Sequence, residues 1–276
     1  MSPDKSKTLI DALSPYPLTK YCFKGFIKWL CSNVEESLEE YDLVDAIEKN
    51  EIDRLKKCEE LLVQSRRILG LTDDAFCNAF GFSDDLLTQD PEKMHDILAE
   101  PLFVIDLSNK GFTEIQKLPR FIKSGKQRKP NSDFLAMHGK HKFAIELKTT
   151  RMENKPKPEP EKLLGDSTKP YWWGEMLRNN SEMKIEDKEQ RVLRQLVNTS
   201  QHYGCDKKML VLYTRRLGTS SLMTREDYVE ELKQLKSKYQ DIDHFVCKDY
   251  FGMVCFYPEI ENAPDTALHP TSYVGG

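Results

Sequence analysis

The sequence predicts a mixed α/β domain, a sheet flanked by helices, behind an N-terminal helical region. Three observations carry this prediction. Apolar residues recur at three- and four-residue spacing through the first part of the chain, the centre holds two short strand-like runs joined through Gly139, and the last part alternates amphipathic helical patterns with apolar runs. With 276 residues, 39% hydrophobic and 31% charged, the chain can bury a core and carry more than one module.

From about Leu18 to Gly70 the helical spacing runs through Leu18, Cys22, Phe26, Trp29 and Leu30, then Leu43, Ile47, Ile52, Leu55, Leu62 and Ile68, and Gly70 provides a stop. Residues 1–90 are therefore assigned to the helical region. A domain over residues 91–260 opens with a helix through Met94, Ile97, Leu98, Leu102, Ile105 and Leu107, which Pro101 is expected to kink or divide. "FTEIQKLPRF" follows as a first strand.

In the next stretch, "SDFLAMHGKHKFAIELKTT", Phe143, Ile145 and Leu147 take one face of a strand while Ala144, Glu146 and Lys148 take the other. Residues 151–182, rich in proline and charge, read as a long loop insertion pinned to the body by Trp172 and Trp173. "IEDKEQRVLRQLVNTSQHYG" is an amphipathic helix closed by Gly204, and "KKMLVLYT" a strand buried on both faces. Thr224 with Asp227 caps a further helix, "HFVCKDYFGMVCFY" supplies one or two last strands, and residues 261–276 form a tail.

Several classes are excluded or disfavoured. No run approaches the roughly 20 apolar residues that cross a bilayer, and the first residues lack a signal-peptide core, so a cytoplasmic protein without a membrane partner is expected. Seven scattered cysteines without a Cys-x-x-Cys pair read as reduced, mostly buried thiols. No Gly-rich phosphate loop, dinucleotide fingerprint or nucleophile elbow is present. The net charge of -4 conceals a basic run, Lys117, Arg120, Lys123, Lys126, Arg128 and Lys129, that ends just before the hairpin.

Glu146 and Lys148 project side by side, with Asp133 in the partner strand. Paired carboxylates of this kind can hold Mg²⁺, which acidifies water and polarises a phosphate. The order of elements and the spacing "SDF…AIELK" resemble the PD-(D/E)XK nuclease superfamily, the restriction-endonuclease-like fold, although Pro130 stands two residues away from where the name-giving Pro-Asp would place it.

The resemblance implies a metal-dependent nuclease acting on DNA rather than RNA. Asp133, Glu146 and the Leu147 carbonyl would be ligands of Mg²⁺, with Mn²⁺ able to substitute, and Glu100 on the preceding helix would join them. Lys148 would face the phosphate, and Gln195 would be the polar contribution of the following helix. Lys123, Lys126, Arg128, Lys129, Arg191 and Arg194 would contact nucleic acid, and cutting both strands would call for a homodimer or a delivery partner. His138 and His141 are expected to face solvent. A non-catalytic nucleic-acid-binding or scaffolding module that keeps the fold is the alternative.

Overall fold

Among the described residues, the elements up to Asn109 are helices and the first strand starts at Thr113. The computed structural model describes residues 3–33, 49, 51–82, 91–124, 127–151, 171–187, 190–215, 224–249 and 253–261. They divide into two compact units, one ending at Asn109 and the other starting at Lys110.

The first unit holds α1 (Pro3–Ala12), α2 (Pro17–Asn33), α3 (Ile52–Leu69), α4 (Asp73–Phe80) and α5 (Pro91–Asn109). Leu18, Phe23, Phe26, Leu55, Leu62 and Phe76 are buried in it, as the three- and four-residue spacing requires. Gly70 takes φ 64 and closes α3 with a left-handed cap. Pro101 does not divide α5, which runs through it as one helix. Expected to open the second domain, α5 packs on α3 and groups with the first unit. Leu43 and Ile47 lie outside the described residues.

The second unit is built on a mixed six-stranded sheet. Its strands are β1 (Thr113–Lys117), β4 (Phe134–His138), β5 (His141–Arg151), β6 (Lys207–Arg215), β7 (His244–Asp249) and β8 (Val254–Tyr257), lying side by side in that order. β1, β4 and β5 form an antiparallel meander, β5, β6 and β7 run parallel, and β8 returns antiparallel to β7. The parallel steps need crossovers, which α6 (Tyr171–Ile185), α7 (Arg191–Tyr203) and α8 (Arg225–Lys238) provide. One face of the sheet presents Ala144, Leu210, Leu212, Phe245 and Cys247 to Leu177, Val192, Leu196, Tyr228, Leu232 and Leu235 of these helices. The expected mixed sheet flanked by helices is therefore present.

Three local features differ from expectation or refine it. The end of the segment read as a long loop is helical: α6 starts at Tyr171, immediately after Pro170, and its Leu177 and Ile185 are fully buried, so two apolar anchors a helix face apart outweigh the polar composition around them. Residues 152–170 and 262–276, and the side chains of Trp172 and Trp173, lie outside the described residues.

Part of the basic run is strand. It forms a separate antiparallel ribbon, β2 (Phe121–Ser124) with β3 (Gln127–Pro130). Finally, β1 carries a bulge, since Thr113 pairs with Met137 but Gln116 pairs with Leu135. Glu114 absorbs the extra residue at φ 50.

Candidate active site

The site forms where β4 stops and β5 continues. The hairpin turn is two residues, with His138 opposite His141 and Gly139 at φ 57 in its first position. Counting back from that turn, Phe134 pairs with Ile145 as the last rung, and Asp133 follows at the strand end, near enough for its charge to act on Glu146. The Asp133 N–H donates to the Ile145 carbonyl at 3.0 Å, and its own carbonyl accepts from Leu118 N at 2.8 Å. Beyond this rung β4 has no further residues beside β5, and the Asp133 side chain takes over as partner.

Asp133 Oδ2 accepts the Leu147 N–H at 2.8 Å, and Oδ1 accepts Lys117 Nζ at 3.3 Å. Within an extended residue the N–H and C=O point toward the same neighbour, so the Leu147 carbonyl shares the edge on which Asp133 sits. Lys117 ends β1 opposite Phe134, with Nζ 4.7 Å from the centre of that ring. This residue was missed as a site member: it was legible as part of a basic run, and only the bulged register of β1 brings it to Asp133.

Glu146 is completely buried, and neither of its carboxylate oxygens meets a hydrogen-bond donor in normal geometry. The Lys148 ammonium lies against Oε1 as an ion pair, with 28% of the Lys148 side chain exposed. Burial pushes the Glu146 carboxyl up to about 8, the negative charge of Asp133 pushes it the same way, and the ammoniums of Lys148 and Lys117 offset this only in part.

Helix α7 braces the approach to Asp133. Thr199 Oγ1 donates to Asn131 Oδ1 at 2.6 Å and accepts the Ser132 N–H at 2.7 Å. Gln195 Nε2 donates to the Asn131 carbonyl at 3.0 Å, so this residue holds the main chain ahead of Asp133. Asn198 Nδ2 adds a 3.3 Å bond to the Pro130 carbonyl.

The other predicted residues have their own surroundings. Glu100 is half-buried on α5, which groups with the first unit. Arg191 is exposed and paired with Asp187 at 3.5 Å. Arg194 lines a cavity of about 400 Å³ with Leu193, Val197, Asn198, Lys208 and Ile242. Arg128 and Lys129 are exposed on β3; Lys126 and the side chain of Lys123 lie outside the described residues. His138 packs on Phe112 with ring centres 4.8 Å apart, and His141 bonds to the Asp206 carboxylate, so both brace the hairpin.

The donor set therefore comprises two carboxylates and one main-chain carbonyl. Among the described residues no group of three or more His, Cys, Asp and Glu side chains converges as a cage. A hard cation that keeps several waters needs no such cage, and the buried carboxylate of Glu146 beside the charge of Asp133 fits one. Among the described residues no helix is long and apolar enough to cross a membrane. Compared with family models, curated proteins and solved structures, the chain finds no match.

Proposed function

We propose that the second unit is a metal-dependent nuclease of the restriction-endonuclease-like kind, hydrolysing phosphodiester bonds. The observation that carries this reading is the pair of neighbouring carboxylates, Asp133 and Glu146, the latter completely buried with the Lys148 ammonium against its Oε1. Asp133, Glu146 and the Leu147 carbonyl would hold Mg²⁺, or Mn²⁺ in its place. When bound, the ion supplies an acidified water and a counter-charge for the phosphate.

The protein's own part is positional and electrostatic. The Leu147 N–H and Lys117 fix the two oxygens of Asp133, while each carboxylate oxygen keeps a lone pair for a further partner. Lys148 is exposed enough to reach a phosphate, where its ammonium offsets developing negative charge. Gln195 and Thr199 keep the chain ahead of Asp133 from shifting. DNA is favoured over RNA on the resemblance of pattern alone.

A second reading has an observation of its own. Lys117 lies against Asp133 and Lys148 against Glu146, as in the self-sufficient polar cluster of a non-catalytic binding or scaffolding module.

Cleavage of single- and double-stranded DNA and RNA in Mg²⁺ separates the two. Wild type should cut in Mg²⁺ and not in EDTA, and Asp133→Ala and Lys148→Ala should each lose roughly 10²–10³-fold. Equal activity in all three proteins would overturn the assignment, and an inactive wild type would select the scaffold.

A further inference from the structure

The β2–β3 ribbon has a side with an unusual combination of groups. Ile122 is buried and defines the inner side, while Phe121, its neighbour in sequence, is 41% exposed. A single exposed aromatic is ordinary on a protein surface. Here it is accompanied. The Arg120 guanidinium lies 5.7 Å from the centre of the Phe121 ring. By the pairing of Phe121 with Pro130, strand alternation places Arg128 on the same side as Phe121.

Charge makes the second observation. Arg128 and Lys129 are exposed and make no ion pair among the described residues, whereas Lys110, Arg178, Lys207 and Lys238 of the same unit all have acidic partners. In the backbone register Arg128 stands opposite Lys123, two residues from the rung of Phe121 with Pro130.

Position makes the third. β3 runs directly into Asn131, Ser132 and Asp133, so the end of the ribbon is at most about 10 Å of chain from the site. That junction is fixed: Asn131 N donates to the Arg120 carbonyl at 3.1 Å, and Asn131 Nδ2 to the Pro119 carbonyl at 3.0 Å.

We propose that the ribbon binds single-stranded nucleic acid, with Phe121 as the platform on which a base stacks and Arg128, on the same side, as a phosphate contact. An aromatic ring finds a base face uncovered only where the base is unpaired, and stacking of this kind accepts any base. The inference rests on the nuclease reading for its choice of ligand, but binding and cleavage are measured apart.

The test uses the full chain in EDTA, with a fluorescent oligothymidylate of about 16 nucleotides and a blunt duplex of the same length. Phe121→Ala should weaken the single-strand complex by roughly 5- to 150-fold, change duplex binding by less than about twofold, and leave the salt dependence unaltered. Phe121→Trp should keep the affinity and show a fluorescence quenching on binding that wild type lacks. Arg128→Ala should weaken both complexes and flatten the single-strand salt slope by about 0.7.

Unchanged single-strand binding by Phe121→Ala, an equal loss on both ligands, or no binding by wild type would each overturn the proposal. Phe121-dependent binding without cleavage in Mg²⁺ would leave the ribbon standing and sink the nuclease. Cleavage with binding indifferent to Phe121 would do the reverse.

Discussion

Burial leaves Glu146 with a carboxyl that resists ionisation until about pH 8, because the charged form would sit without water beside Asp133. In the unfolded chain the group ionises near 4.5, so between 4.5 and about 8 the folded state binds more protons than the unfolded one. Stability contributed by the neutral form is present below the unfolded value and falls as pH rises through that window, by something on the order of 4–5 kcal/mol. Glu146→Gln should therefore melt close to wild type at pH 4 and well above it at pH 8.5 in EDTA, with Mg²⁺ raising the midpoint of wild type only. A wild type whose stability does not decline over this range would refute the buried, unsatisfied carboxyl. Asp133, Glu146 and Lys148 were legible because strand alternation alone sets Glu146 and Lys148 on one face and the hairpin supplies the third. Gln195 was legible as polar on its helix, but its bond to the Asn131 carbonyl depends on how α7 crosses the strand end. Lys117 was hidden, because no local pattern reveals a register shift.

Among the elements, those with a strong period or a chemical stop were readable, and those held by a few contacts were not. Gly204 closes α7 at φ 67, and Thr224 with Asp227 forms both bonds of a capping box at α8, each as its residue type dictates. The ribbon strands are four residues each with little apolar alternation, so periodicity had nothing to detect. The bulge in β1 makes a separate prediction. Glu114 is exposed yet holds φ 50, a conformation that costs a residue with a Cβ about 1–2 kcal/mol relative to glycine. Glu114→Gly should raise stability by about 1 kcal/mol in denaturant unfolding, and Glu114→Val should lower it. If glycine is neutral there, the backbone is not strained.

For the whole molecule, a net charge of -4 means that any polyanion is met by a local surface and not by the chain's overall field. Two exposed cations beside the Phe121 ring or on its side of the ribbon, Arg120 and Arg128, set a slope of about -1.4 for log affinity against log salt on single strands. Titration between low and physiological salt checks this; a much steeper slope would place most contacts elsewhere. The division of the chain at Asn109 was not legible, since the apolar pattern of α5 states that a face is buried without stating against which neighbour. The link from that helix to the site passes through β1, where Glu114 and Ile115 together span the single rung opposite Ala136. Excising Glu114 would therefore regularise the ladder while leaving Thr113 opposite Met137 and Lys117 opposite Phe134. The bulge gives the strand one residue of slack, so chain length ahead of Lys117 can vary by a residue without altering the cation's address.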